Sequence, residues 1–187
     1  METSIESMDQ TTAVITQTKK WITDVVVGCN FCPFAAREMK RNTVHYQVEN
    51  TTTLADGKAA FLKECIRLDK DKTIETTLLI FPYAFEKFDD YLDLLSAAEQ
   101  LLKRKKYTGI YQVASFHPLY QFAGTALNDA ANYTNRSIYP MLHLLRETQV
   151  RKAIAHHTDA EGIPARNIKF AQEKGAAYMK MLRDSCL

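Results

Sequence analysis

At 187 residues the chain has room for one well-buried core and is short for two ordinary domains. Hydrophobic residues make up 46% and charged residues 25%, the balance of a globular protein, which argues against a disordered or fibrous chain. With 24 Lys plus Arg against 22 Asp plus Glu, the net charge of +2 supplies no field that would draw the chain to nucleic acid or to an anionic membrane.

The apolar runs, such as Leu78 to Pro82, fall far short of the roughly 20 residues that cross a bilayer. Met1-Glu2-Thr3-Ser4 is acidic and opens no apolar h-region, so no secretory signal is expected. Four cysteines without a signal read as thiols in a reducing compartment, and the expected location is cytoplasmic. Residues 1–10 are polar and aperiodic and read as a flexible N-terminus. No repeat or linker interrupts 11–187, which read as a single domain.

A first helix fits residues 11–27, where Val14, Ile15, Trp21, Ile22, Val25 and Val26 form an apolar stripe, with Gly28 at the expected C-cap. Cys32-Pro33 reads as the start of a second helix through Arg41. Thr43 to Glu49 alternates Val44, Tyr46 and Val48 with His45, Gln47 and Glu49, a half-buried strand. Thr53 with Asp56 three residues on resembles a capping box for a helix to about Asp69. Ile74 to Phe81 reads as a buried strand. Glu86 to Lys106 carries Phe88, Tyr91, Leu92, Leu95, Ala98 and Leu102 at helical spacing, and its basic end, Lys103 to Lys106, reads as a solvated helix terminus. Ile110 to Phe116 returns as a strand.

From Pro118 to Pro140 the chain is dense in Asn, Tyr, Thr and Gln, with a short helix near Leu127–Asn132. Met141 to Arg146 fits a last strand followed by a helix capped at Thr148 and running to His157; a single helix from Pro140 is the alternative. A final helix from Pro164 would place Ile168, Ala171, Gly175, Tyr178 and Leu182 on one face. The fold class is therefore α/β, with α+β as the alternative. It would comprise one sheet of about four strands, at least three of them parallel and joined by crossover helices, with additional N- and C-terminal helices. Ligands of open α/β sheets bind outside the carboxyl ends of the strands, which directs attention to His117 and the polar loop after it.

His117 stands at a strand's end before Pro118, as a general base, a metal ligand or a hydrogen-bonded strand terminator. Arg136, among Asn132, Asn135 and Ser137, suits bidentate capture of a carboxylate or phosphate, or pins the loop through Asp129 or Glu147. His143, Arg146 and Glu147 would share one face of a helix, whereas on a strand His143 and Arg146 point apart. Cys32 ends a C-x-x-C pair with Cys29; it reads as a thiol nucleophile, half of a redox or zinc pair, or a small buried residue. His156-His157 reads as a solvated helix end. No phosphate loop, dinucleotide fingerprint or G-x-S-x-G elbow occurs, and Gly124 is the only glycine between 110 and 161. A nucleotide cofactor is thus not expected. A metal stays open, with His117, His143 and Asp129 as its candidate ligands, although no H-E-x-x-H type of spacing groups them.

The run from Ser115 to Phe122, then Asn132 to Ser137, then Tyr139 to Glu147, together with Cys32-Pro33-Phe34-Ala35 and Ile163-Pro164 with Asn167, resembles the domain-of-unknown-function 1415 family. Cys29, where an aliphatic residue is associated with that family, and Ile138, where Pro is, depart from its pattern. The resemblance implies a single bacterial-type cytosolic domain and carries over no activity, cofactor or catalytic residue.

The leading expectation is an enzyme acting on a small anionic ester. His117 would be the general acid or base, Arg136 and Arg146 would hold the anion, and Tyr120 or Tyr139 would donate a proton, with Asn132, Asn135, Gln121 and Glu147 completing the site. The alternatives are a non-catalytic module that captures an anionic ligand or a protein, and a thiol enzyme or redox sensor in which His117 or His143 serves Cys32 as its base.

Overall fold

The computed structural model describes residues 2–187, with side chains from residue 8 onward; of the segment 1–10 expected to be flexible, only residue 1 lies outside that description. Helix α1 (Glu2–Trp21) begins earlier than residue 11 and passes without a break into a π-helix (Ile22–Val27). The wider turn closes with the Gly28 N–H on Thr23 O at 3.0 Å. A Cβ at Gly28 would lie 2.2 Å from Asp24 O, so this turn requires glycine. Gly28 is the C-cap expected from the sequence, held in the right-handed region at φ −60°, and a left-handed residue follows at Asn30, φ 54°.

Helix α2 is shorter than expected (Ala35–Arg41), with Cys32 and Pro33 in the turn that precedes it. Strand β1 (Val44–Val48) leads to α3 (Leu54–Lys70). Thr53 Oγ1 accepts from Asp56 N at 3.1 Å and donates to Asp56 Oδ2 at 2.6 Å, as the capping pattern predicts. Then follow β2 (Thr76–Ile80), α4 (Phe88–Arg104) and β3 (Tyr111–Phe116). In α4 the buried face holds Leu94 and Leu101, while Leu92 is 41% exposed, so the stripe is rotated from the expected one. The Lys103 to Lys106 run is exposed at the helix end, where cations meet the negative pole of its dipole.

A short 3-10 helix (Ala130–Thr134) interrupts the polar loop. Residues Met141–Arg146 form strand β4, which excludes the helix alternative, and α5 (Glu147–Ala155) follows with Arg146 as its N-cap in place of Thr148. The expected last helix is two: α6 (Ile163–Lys174) and α7 (Ala176–Asp184), broken at Gly175, whose φ of 81° is open to glycine. That break buries Ala171 and Met179 and leaves Ile168 and Tyr178 partly exposed.

The sheet order is β1-β2-β4-β3. Only β1 and β2 pair in parallel; β4 wedges between β2 and β3 and is antiparallel to both. The expected set of at least three parallel strands is thus corrected to one parallel pair in a mixed α/β sheet. The crossover through α4 skips a position, and a strand entering from the C-terminal half fills it.

Each sheet face carries its own core. Leu79, Phe81, Leu142 and Leu144 pack under α3 and α4. On the other face Leu78, Ile80 and Met141 pack with Trp21, Val25 and Val26 of the α1–π-helix and with Ala171 and Met179. Among the described residues, no helix is long and apolar enough to cross a membrane.

Candidate functional site

The loop over 117–140 brings together most of the residues expected to form a site, but it turns their polar atoms onto its own backbone. His117 is fully buried. Its Nδ1 accepts from Leu119 N at 3.0 Å, which fixes the proton on Nε2, and that N–H donates to Phe85 O at 2.8 Å. Phe85 is held at φ 58°, a conformation an aromatic residue adopts only when its surroundings impose it, and His117 fastens its carbonyl. The ring packs against Tyr91 at 4.9 Å and Phe88 at 5.2 Å, and burial depresses its pKa. Of the three readings of His117, its hydrogen bonds match the strand terminator.

Asn132 accepts from Phe122 N and Thr125 Oγ1 and donates to Ala126 O. Asn135 donates to Ser115 O, and Gln121 to Thr125 O. Arg136, 7% exposed, donates through Nε to Tyr120 O and through Nη2 to Leu127 O, and stacks on Tyr133 at 4.7 Å. Tyr120 therefore contributes its backbone carbonyl, while its ring packs on Phe88 and Phe122. Asp129 caps the 3-10 helix through Ala131 N at 2.9 Å. Tyr139 donates to Gln17 of α1. Arg136 pins the loop, as the alternative reading had it, but through carbonyls and not through Asp129 or Glu147.

Strand β4 separates His143 from Arg146. Arg146 fastens the α3–β2 connection, donating to Leu68 O at 2.6 Å, Asp71 O at 3.0 Å and Ile74 O at 3.0 Å. Glu147 pairs with Arg151 at 3.0 Å at the surface of α5. His156 caps the end of α5, as a helix-end residue should. The candidate metal ligands His117, His143 and Asp129 do not converge, and among the described residues no group of three or more His, Cys, Asp or Glu could hold a metal ion.

His143 lies on the opposite face and lines a cavity of about 310 Å³. The floor is the sheet: Leu78 and Ala114 flank His143 in register, and Thr76 and Gln112 flank Leu145. Trp21, Ile22 and Val26 of the α1–π-helix form one wall, Cys32, Phe34 and Met39 another, and Val150 and Ala153 of α5 a third. A π-helix is rare and often marks a functional site, because its extra residue displaces side chains from the regular helical face. Here it places two side chains, Ile22 and Val26, in one cavity wall beside Trp21 at the end of α1.

Polar and charged side chains also reach this lining, among them Glu38, Glu75, Gln112, His143, Arg146 and Gln149. Glu38 at one side is internally bonded: burial pushes its carboxyl up, but Thr43 Oγ1 at 2.5 Å and Arg37 Nε at 2.7 Å pull it below the usual range. Glu75 Oε2 and Trp21 Nε1 are enclosed without a hydrogen-bond partner among the described residues. Cys32 is a free thiol whose pKa burial raises, with only partial relief from the Phe34 and Ala35 N–H groups. Such a thiol stays protonated and is not an activated nucleophile. Its former partner in the C-x-x-C pair, Cys29, belongs to the core, and both are free. Burial lowers His143 to about 4, so its ring is neutral at pH 7.

The structure thus defines a class: a mixed α/β domain with a predominantly apolar cavity between one sheet face and a helical cover. The chain belongs to the family described as "Protein of unknown function (DUF1415)", whose model matches residues 13–181. No curated protein and no solved structure matches the chain.

Sequence reasoning singled out Cys32 and His143 but not their meeting place. Trp21, Thr76, Leu78 and Ala114 were read as ordinary core or strand positions, and no local signal distinguishes them. Gly28 was the one visible trace of the π-helix.

Proposed function

We propose that the protein binds a small, largely apolar molecule in the cavity between its sheet and the π-helix, α2 and α5. The observation that carries this reading is the cavity itself. Its volume of about 310 Å³ falls at the lower end of the range of small-molecule sites, and apolar side chains with a few polar atoms line it, as such sites require. The reading belongs to the non-catalytic binding class. The anionic-ester enzyme loses its support because Arg136 and Arg146 direct their guanidinium groups to backbone carbonyls and His117 is enclosed. A reducing cytosol suits the four free cysteines.

Ala114 sits in the cavity floor, and Ala114→Leu would fill space that a ligand needs. Indole is a suitable probe: aromatic, neutral and small. The wild-type protein should bind indole saturably with a rise in melting temperature. Ala114→Leu should abolish that rise while changing stability by no more than about 1 kcal/mol. Undiminished indole binding by the variant would remove the cavity from the account.

A further inference from the structure

The hydrogen bonds beneath the cavity floor fix which ring nitrogen of His143 carries the proton. Thr76 Oγ1 lies 2.7 Å from Leu144 O and 2.6 Å from His143 Nε2. A carbonyl oxygen has no hydrogen, so the one hydroxyl proton of Thr76 must lie on the bond to Leu144 O. Thr76 Oγ1 can then only accept from His143, which places the ring proton on Nε2. Nδ1 is left as a bare acceptor. It makes no hydrogen bond among the described residues, and His143 as a whole is only half-buried. It therefore keeps access to the cavity that His143 lines.

Given that the cavity is the ligand site, we infer that its ligand is an aromatic or alicyclic molecule bearing an N–H or O–H group, which it donates to His143 Nδ1. Two features converge on this class. The surrounding walls, Trp21, Val26, Leu78 and Phe116, offer apolar contact and favour a ring. The fixed tautomer makes Nδ1 an acceptor without rotation or proton exchange, so a ligand that presents only acceptors meets a lone pair with its own lone pair. A neutral ring at His143 agrees with its depressed pKa.

Thr76 is a positioning residue here: it touches the ring of His143 and sets the acceptor without lining up with the ligand itself. A buried acceptor discriminates strongly against a ligand that lacks the matching donor, because the group it leaves unpaired has already lost its water.

The experiment compares indole with benzofuran, nearly the same shape but with an oxygen in place of the N–H. Binding to the full-length protein is measured by calorimetry, and the His143 tautomer by nitrogen-15 NMR. The expected result is an Nε2-protonated ring in the free protein and indole binding at least about tenfold tighter than benzofuran. In His143→Phe that preference should collapse to within about twofold. Should His143→Phe fail to fold, Thr76→Val serves: it removes the partner of Nε2–H, and the preference should shrink while the cavity remains. Equal binding of indole and benzofuran, both lost in Ala114→Leu, would overturn the donor inference and leave the cavity reading standing. An Nδ1-protonated ring would also overturn it. If neither molecule binds, the cavity reading falls and this inference falls with it.

Discussion

In the loop over 117–140, His117, Asn132, Asn135 and Arg136 pair their side chains with backbone groups of the same loop or of the segments it touches. In the cavity on the other side of β4's neighbourhood, His143 gives one ring nitrogen to Thr76 and leaves the other without a partner. The first region is rich in polar residues and poor in unmet hydrogen bonds; the second is the reverse. A buried polar group that is fully satisfied lowers the energy of the fold and has nothing left to offer a ligand. A polar atom left open in an apolar lining is where recognition has something to act on. The density of polar residues along a chain therefore locates neither a site nor a scaffold until their partners are known.

The contrast breaks most visibly at His117. Removing its side chain in His117→Ala strands the Phe85 carbonyl and the Leu119 N–H inside the protein and leaves a cavity among Phe88 and Tyr91. Urea unfolding should show a loss of about 3 kcal/mol or more. Under conditions where the variant is folded, its indole affinity should match the wild type. A stable variant with abolished ligand binding would instead restore the loop as the site.

A second difference concerns pH. The His143 value of about 4 in the folded protein lies below the ~6.5 of an unfolded histidine. As pH falls, the unfolded chain takes up the proton first, so the stability contributed by neutral His143 is complete above about pH 6.5 and is lost progressively toward pH 4. The full span is roughly 3 kcal/mol. His117 and His45 are depressed by burial as well and act in the same direction. His143→Gln should therefore flatten part of the decline between about pH 7 and 4, by roughly 2 kcal/mol, and leave the remainder. An unchanged decline would mean that the His143 ring is not desolvated by the fold.

The smallest effect is expected at Glu147, which the sequence placed among the site residues. Its pair with Arg151 is at the surface, with the Arg side chain 60% exposed. Glu147→Ala should cost less than about 0.5 kcal/mol in chemical denaturation and leave indole binding unaltered. A clear loss of affinity there would extend the site beyond the cavity.

Much of the fold was legible because period and capping act locally. The Val44, Tyr46, Val48 alternation made a strand, and Thr53 with Asp56 capped a helix. The orientation of β4 was not legible, since Met141 to Arg146 has the same side-chain pattern whichever way it runs; only its pairing with Leu78 and Ala114 fixes it. The site divides in the same way. The chemical character of Cys32 and His143 made them candidates, whereas the fixed tautomer depends on Thr76, far away along the chain and unremarkable in its own segment. His117 could be read as catalyst or strand terminator, and the Phe85 carbonyl that decides between them belongs to a turn with no sequence mark beyond Pro82.

The account rests on the cavity around His143 being the ligand site, and a crystal structure of the protein soaked with indole tests that most directly. The predicted result is indole between Trp21, Leu78 and His143, with its N–H on Nδ1. Indole seated against the Arg136 loop, with the cavity left to solvent, would contradict it.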